Sequence, residues 1–327
     1  MDTLTHDATS GRVRVGVGLA LISAGSFGMS GALASGLMDA GWSAAAVVVV
    51  RVLLAGIVLL PFAIRQLDRR WELLRANASL VVAYGLIAVA GTQLAYFNAV
   101  ANMQVGAALL IEYTAPIAVV GWLWVRHRQR PGAATVAGAV LGVVGLLLVL
   151  DVGAGMSASA VGVGWGLLAM LGAATYFVLS AHPTTLPATV LAAGGLLVGG
   201  VTLLIAGLVG IVPLQATTTT VVFESFETPW WAPVLTIGIV TAAIAYSTGI
   251  AATRLLGSRL AAFIALTEVL AALGFAWILL GEAPGLIQLL GGVLILAGVI
   301  AVRLGEPSEP VAIAVPLAAG QPVDRAD

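Results

Sequence analysis

The 327-residue chain contains no cysteine, and only 9% of its residues are charged. The absence of cysteine excludes disulfides, thiolate metal ligands and a cysteine nucleophile. Soluble domains carry about 25% charged residues, so this chain has too few to cover a surface that faces water. Hydrophobic residues make up 60% of the chain, and its mean hydropathy is +1.08. The composition therefore predicts an integral membrane protein.

Motifs that would indicate an enzyme are also absent from the sequence. There is no nucleophile elbow, no zinc-binding helix and no phosphate-binding loop. The three histidines, His6, His127 and His182, lie in the amino-terminal tail or at predicted span ends and form no motif. We expect a protein that is not an enzyme, with no cofactor, no metal site and no nucleic-acid partner.

Long apolar stretches are abundant. At about 20 residues per crossing, the chain has room for roughly ten transmembrane helices, so the expected fold class is an all-α integral membrane protein. The predicted spans, numbered in chain order throughout, are Val13–Gly36, Ser43–Ile64, Asn77–Val100, Gln104–Val125, Gly132–Leu150, Gly162–Ala181, Pro187–Val212, Pro233–Leu255, Ser258–Leu280 and Gly285–Val302.

Arginine is distributed unevenly between the loops. If the amino terminus is cytoplasmic, the arginine-rich loops Arg65–Arg75 and Arg126–Pro131 both fall on the cytoplasmic side. The only charged residues of the opposite loops are then acidic, namely Asp39, Asp151, Glu224, Glu227 and Glu282. Positively charged loops stay inside, so we expect a multi-pass protein of the inner membrane with both termini in the cytoplasm.

The second half of the chain repeats the first in order. AYFNAVA (Ala95–Ala101) in the third span corresponds to AYSTGIA (Ala245–Ala251) in the eighth. AALLI (Ala107–Ile111) in the fourth span corresponds to AAFIA (Ala261–Ala265) in the ninth. Glycines of the fifth and tenth spans also match at a constant offset, Gly138 and Gly145 with Gly291 and Gly298.

The repeat predicts two inverted halves. Five spans is an odd number, so the second copy must cross the membrane in the opposite sense, as in many transporters. We expect a first five-helix repeat at residues 12–151 and a second at residues 152–303. They are flanked by a cytoplasmic tail at 1–11 and a disordered cytoplasmic tail at 304–327, which is rich in proline and charge.

Two predicted spans carry an acid in their interior. Glu112 lies in the fourth span, one turn before Pro116, which removes a backbone donor and predicts a helix break. Glu268 lies in the ninth span without an adjacent proline. An intramembrane carboxylate is costly unless it faces a cavity or a partner. Each acid is therefore a candidate to hold a proton or a substrate ammonium, or else a structural acid hydrogen-bonded to a neighbouring helix.

Other polar residues accompany the acids inside the spans. Arg51 in the second span has two interpretations, contact with a substrate carboxylate or a structural pair with an acid or with backbone carbonyls. Further side chains are candidates to line a path, although each alone is more often a contact between helices. These are Gln93, Tyr96, Asn98, Tyr113, Thr114, Tyr246, Thr248 and Thr267.

The pattern resembles the drug/metabolite transporter superfamily, EamA type, over roughly Arg14–Arg303. The resemblance is carried by Arg51, by IEYTAP (Ile111–Pro116) and by LLGE (Leu279–Glu282). The Glu–aromatic–Thr–x–Pro run is similar to the threonine/homoserine-exporter branch. The resemblance implies export of amino acids or related small metabolites from the cytoplasm, with a homodimer as a compatible assembly.

Three functions are compatible with these features. The first is export of a small zwitterionic or cationic metabolite by alternating access, with proton antiport if substrate and proton compete for one carboxylate. The second is export of lipophilic cations, with aromatic walls supplied by Trp122, Trp124, Trp165 and Tyr176. The third, a membrane-embedded enzyme or scaffold, would need a catalytic cluster or a soluble domain, and the sequence has neither.

Overall fold

The computed structural model describes residues 2–103, 105–150 and 159–305, and its architecture is almost entirely helical. Ten helical spans are formed, which confirms the predicted fold class. Nine are long and apolar enough to cross a membrane, and the fifth is apolar but only 17 residues long. Asp151 and the predicted tail from residue 306 onward lie outside the described residues.

The helices of the ten spans, in order, have the following bounds: Asp2–Asp39; Ala44–Leu67; Ala78–Ala83, Tyr84–Gly91 and Thr92–Asn102; Val105–Glu112 and Ala115–His127; Ala133–Val149; Ala160–Ser180; Ala188–Leu208; Trp231–Gly238, Ile239–Ile244 and Ala245–Leu256; Ser258–Ala265 and Thr267–Leu280; Leu286–Gly305. A short helix, Trp71–Ala76, precedes the third span. Residues 2–11 of the predicted tail continue the first helix.

Irregular segments recur at corresponding places in the two repeats. The third and eighth spans each contain a π-helical segment, Tyr84–Gly91 and Ile239–Ile244. Each segment leads into one of the matching sequences that begin with Ala-Tyr, at Ala95 and Ala245. The fourth and ninth spans are each broken into two helices. π-Helical turns are frequent at functional sites, and here they lie in spans that line the same cavity.

The two halves interlock rather than pack as separate bundles. The first span packs against the eighth and ninth spans, and its counterpart, the sixth, packs against the third and fourth. The second span packs against the seventh, and the fifth against the tenth. Every main contact of one half is thus matched by an equivalent contact of the other half.

Glycines set the contact between the fifth and tenth spans. A Cβ atom at Gly138 would lie 2.6 Å from the carbonyl oxygen of Gly298, and one at Gly145 would lie 2.7 Å from that of Gly291. In the repeat, Gly138 corresponds to Gly291 and Gly145 corresponds to Gly298. Gly138 therefore packs on the counterpart of Gly145, and Gly145 packs on the counterpart of Gly138. This reciprocity is the contact pattern of a two-fold axis. Small residues allow such close backbone approach between helices.

The end of the bundle opposite the arginine-rich loops is covered by a small hairpin. Val221–Val222 pairs antiparallel with Glu227–Thr228 in the predicted polar loop. The Phe223 ring packs against Gly36 of the first span, and Trp42 donates from Nε1 to the carbonyl oxygen of Thr217 at 2.9 Å. The loop is therefore anchored to the end of the first span.

Candidate functional site

A cavity of about 500 Å³ lies between the two halves. Its walls come from the first, second, third, fourth, sixth, eighth and ninth spans. Ala34, Met38 and Ala44 line it at the end opposite the arginine-rich loops, and Met38 is 41% exposed. Towards the arginine-rich end its lining residues Ala20 and Ala261 are buried. The cavity lining is thus more exposed at the end formed by Met38 than at the end formed by Ala20 and Ala261.

Both intramembrane acids line this cavity. Glu112 is the last residue of the helix Val105–Glu112, and Glu268 is the second residue of the helix Thr267–Leu280. The Tyr113 hydroxyl donates a hydrogen bond to Oε1 of Glu268 at 3.2 Å, which links the fourth span to the ninth. The two carboxylates are also close enough to interact electrostatically. The structure therefore brings together two acids that are 156 positions apart.

The break in the fourth span has a local cause. The Thr114 hydroxyl donates to the carbonyl oxygen of Ile111 at 2.6 Å, so the chain turns at Tyr113 and Thr114 before a new helix starts. Pro116 lies in the first turn of that new helix, where backbone N–H groups have no acceptor within the helix, so the lack of an N–H costs no hydrogen bond. The predicted break is thus present, but it precedes the proline by two residues.

Arg51 lies in the same cavity as the acids. It donates from Nη1 to the Ser30 hydroxyl at 2.5 Å, so its observed hydrogen-bond partner is a hydroxyl rather than an expected carboxylate or carbonyl. Glu112 and Glu268 both lie within electrostatic range of its guanidinium. The Nε atom of Arg51 completes no hydrogen bond within the described part of the chain. The Tyr246 hydroxyl also lies within hydrogen-bonding reach of the guanidinium.

One wall of the cavity is aromatic. The Tyr246 ring lies edge-on to Phe27, at 5.1 Å between centroids, and to Tyr176, at 5.7 Å. Tyr176 in turn lies edge-on to Phe177 at 4.9 Å. All four residues line the cavity. The sequence had indicated only two of them, because Phe27 and Phe177 carry no polar group that would distinguish them from lipid-facing residues.

The predicted tryptophan walls are wrong. Trp122 and Trp124 are about half exposed on the outer surface of the bundle, at 48% and 52%. Trp165 packs beside Ala99 and Met103 in a separate apolar cluster. Only Tyr176 of the four proposed wall residues lines the cavity.

The remaining predicted polar residues divide into two groups. Gln93 and Tyr96 line the cavity together with Tyr113 and Tyr246. The others are not among the cavity-lining residues and donate to carbonyl oxygens of their own helices. These bonds run from Asn98 to Leu94 at 2.8 Å, from Thr114 to Ile111 at 2.6 Å, from Thr248 to Ile244 at 2.7 Å and from Thr267 to Ile264 at 2.7 Å.

Some polar cavity residues were missed by the sequence reasoning. Ser23 and Ser30 of the first span line the cavity, and Ser23 donates to the carbonyl oxygen of Ala245 at 2.8 Å. Thr92 lines it where the π-helical segment of the third span ends. Gly28 of the first span packs tightly against the backbone of Glu268. The serines in the same stretch were the signal for a polar wall.

Comparison with known proteins identifies the family. The sequence profile of the EamA-like transporter family matches residues 14–151 and, a second time, residues 160–304. The chain belongs to the EamA-like transporter family. It is therefore a membrane transporter of small molecules rather than an enzyme, and the two matches coincide with the two five-helix repeats.

A solved structure supports the fold of this EamA-like transporter. That structure, described as "Crystal structure of protein", superimposes with a TM-score of 0.74 at 19% sequence identity. The superposition covers 90% of this chain and 96% of the other. No curated protein sequence matches the transporter at a significant level. In the described ranges, no group of three or more histidine, aspartate or glutamate residues is arranged to hold a metal ion.

Proposed function

We propose that this transporter exports small zwitterionic or cationic metabolites, with amino acids as the main class, and that export is coupled to protons. The single observation that carries the proposal is the charge content of the cavity. Two carboxylates, Glu112 and Glu268, and one guanidinium, Arg51, line the same space. An intramembrane charge is retained at such cost chiefly when it faces a polar ligand or pathway.

The three charges match the two ends of an amino acid. A substrate ammonium would pair with Glu112, while Glu268 is held in place by the Tyr113 hydroxyl. A substrate carboxylate would pair with Arg51, whose planar guanidinium suits bidentate recognition of carboxylates. The apolar lining of much of the cavity leaves room for a small side chain.

The arrangement of the two halves supports alternating access. The reciprocal glycine contacts and the odd number of spans per repeat support inverted repeats, with the site between them. By the rule that positively charged loops stay inside, we assign the arginine-rich end to the cytoplasmic side of the inner membrane, with both termini on that side. The more exposed end of the cavity lining, at Met38, then faces outward in this state.

Coupling follows if proton and substrate compete for Glu112. In the inward-facing state the ionised acid pairs with the substrate ammonium. After reorientation, a proton from outside neutralises the carboxylate and the amine leaves. The protonated carrier returns and releases the proton to the cytoplasm, which restores the ionised acid. Each exported cation is thereby exchanged for one proton at the same oxygen atoms.

The test uses purified protein in liposomes with a pH-sensitive dye inside. Radiolabelled threonine and homoserine serve as first substrates, followed by a panel of amino acids. We expect substrate-dependent proton movement in the native protein and its loss in Glu112→Gln, with Asn98→Ala, outside the cavity, as the matched control. Proton movement that is unchanged in Glu112→Gln would rule out coupling at this acid.

The aromatic wall supports a second candidate, export of lipophilic cations. Phe27, Tyr176, Phe177 and Tyr246 present adjacent rings to the cavity beside the acids, and aromatic faces attract organic cations. Cells that express the transporter would then resist ethidium-like dyes. Resistance to toxic amino-acid analogues without resistance to dyes would support the amino-acid function instead. The paired positive and negative charges of the cavity favour the zwitterion.

A further inference from the structure

A column of polar side chains runs from the cavity towards the arginine-rich end of the bundle. Tyr246 and Tyr176 line the cavity. Tyr84 follows, and then Ser180, the last residue of the sixth span. Arg254, one turn from the end of the eighth span, lies at the inner limit. We call these five residues the hydroxyl column.

The members of the hydroxyl column are in contact one after another. The ring centroids of Tyr246 and Tyr176 are 5.7 Å apart, and those of Tyr176 and Tyr84 are 5.8 Å apart. The Tyr84 hydroxyl lies beside both the Tyr176 and the Ser180 hydroxyls and within electrostatic range of Arg254. Tyr84 and Ser180 are both 0% exposed. The column is therefore closed in this structure.

The polar atoms of the column are poorly satisfied. In the described part of the chain, the hydroxyl oxygens of Tyr84, Tyr176 and Ser180 make no hydrogen bond of good geometry, although the Tyr84 hydroxyl lies within longer hydrogen-bonding reach of the other two. Arg254 donates from Nη1 to the carbonyl oxygen of Leu186 at 2.6 Å, but its Nε and Nη2 atoms are also buried without a bond there. Buried polar groups normally find partners, so such a concentration needs an explanation.

A purely structural role does not account for these hydroxyls. Phenylalanine would fill the same space in the apolar cluster around Tyr84 without burying a hydroxyl. Two glycines instead make room for the tyrosines. A Cβ at Gly195 would collide with the Tyr84 ring, and a Cβ at Gly249 would collide with the Tyr176 hydroxyl.

The inner end of the cavity, which we call the tip, is the competing route to the arginine-rich side. It is lined by Ala20, Ala252, Thr253 and Ala261, all of them buried. The only hydroxyl among them, that of Thr253, bonds to the carbonyl oxygen of Gly249 at 2.8 Å. The tip thus offers little to a polar substrate, whereas the column offers several buried donors and acceptors whose hydrogen bonds to one another are poor.

We propose that the hydroxyl column is the inner half of the substrate path, closed in this structure and hydrated when the transporter faces the arginine-rich side. The proposal rests on the transport function proposed above. Water and substrate would satisfy the polar atoms in the open state, so their lack of partners destabilises the closed state relative to the open one. Two states of similar free energy are what alternating access requires.

The absence of cysteine makes the test direct, because single-cysteine variants have no background. Ser180→Cys reports the column, Ala261→Cys reports the competing tip, and Leu171→Cys, 51% exposed on the sixth span, is the lipid-facing control. Each is exposed to a membrane-impermeant maleimide in inside-out vesicles. We expect Ser180→Cys to react at least tenfold faster than Leu171→Cys and faster than Ala261→Cys.

A second measurement tests the role of the hydroxyl groups. Tyr84→Phe removes an unsatisfied hydroxyl from the closed column and should favour closure, so labelling of Ser180→Cys should slow several-fold. Thr135→Val removes another buried hydroxyl without a partner, in the fifth span away from the column. It should leave the labelling rate unchanged.

The outcomes separate this proposal from the proposed function. Labelling requires no substrate, so it can succeed even if amino acids are not transported. Ala34→Cys, labelled from the opposite side, shows that the cavity is folded. If it reacts and Ser180→Cys does not, the hydroxyl column is not the inner half of the path. If Ala261→Cys is labelled faster than Ser180→Cys, the proposal is also wrong, and the path runs through the tip instead. The transport activity of Glu112→Gln tests only the proton coupling at Glu112 and has no bearing on the hydroxyl column.

Discussion

The fourth and ninth spans occupy corresponding places in the two repeats, yet they present their acids differently. In the fourth span, Glu112 is the final residue of the first half-helix. In the ninth span, the first half-helix ends at Ala265, and Glu268 lies in the first turn of the second. One acid therefore ends a helix and the other begins one, although both face the same cavity.

This difference separates the roles of the two acids. The amino-terminal end of a helix carries partial positive charge and favours an anion, whereas the carboxy-terminal end carries partial negative charge. Glu268 has this support and the Tyr113 hydroxyl as well. Glu112 lacks the partial positive charge of a helix amino terminus and depends more on a positively charged partner. We therefore expect Glu112 to exchange partners during transport and Glu268 to stay in place.

The largest expected effect tests this division directly. Glu112→Gln should reduce proton-coupled transport roughly 100-fold, since charged interactions of this kind are worth about 1.5–3 kcal/mol. Glu268→Gln should reduce transport about tenfold, mainly by loosening the link to Tyr113. Initial rates in liposomes with an imposed pH gradient give both values. A greater loss in Glu268→Gln would reverse the assignment.

The two repeats should respond equally where their contact is reciprocal. Gly138→Ala and Gly291→Ala each place a methyl group 2.6 Å from a backbone oxygen of the partner helix. Each should destabilise the protein by about 1–3 kcal/mol, as overpacking usually does. Thermal unfolding in detergent measures the effect, and Gly121→Ala, with open space around it, is the control. Clearly unequal losses would contradict the two-fold contact.

A smaller effect is expected from the bond that joins the two spans. Tyr113→Phe removes the donor to Glu268 and leaves the ring in place. A hydrogen bond to a charged group contributes about 1.5–3 kcal/mol, part of which water in the cavity would restore. We therefore expect a loss of transport of several-fold, with the same substrate preference. An inactive variant would mean that Tyr113 contacts the substrate itself.

The smallest effect should come from the proline. Pro116 lies in the first turn of its helix, where proline is tolerated rather than disruptive. The ninth span breaks at Leu266 without any proline. Pro116→Ala should therefore keep transport within about threefold of the native rate and shift stability by less than about 1 kcal/mol. Loss of transport would show that proline, and not the Thr114 turn, maintains the break.

Much of the fold follows from the sequence because each crossing needs a long apolar run. The number of spans follows from that requirement, and the placement of both acids beside a cavity follows from the cost of a charge in the membrane. The two repeats follow instead from the matching segments of the two halves. The glycine matches between the fifth and tenth spans predicted which positions correspond. They did not predict that the two helices touch at those positions, because the sequence carries no information on which spans pack together.

The details of the site depend on local geometry that periodicity does not reveal. Asn98, Thr114 and Thr267 have the composition of path-lining residues, but their side chains bond to carbonyls in the preceding turn of their own helices. The break at Leu266 lacks a proline to predict it. Tyr84 was overlooked because one polar residue in an apolar run is usually a packing residue, and only its position beside Tyr176 distinguishes it.

The self-complementary contact between the fifth and tenth spans has a consequence for the origin of the molecule. A helix that packs on its own counterpart across a two-fold axis would pack equally well on the same helix of a separate polypeptide. A half-length ancestor with these glycines would have had the surface needed for an antiparallel pair of identical chains. Joining two such copies into one chain would then allow an acid at Glu112 in one half and at the non-equivalent Glu268 in the other, which no symmetric pair of identical subunits permits.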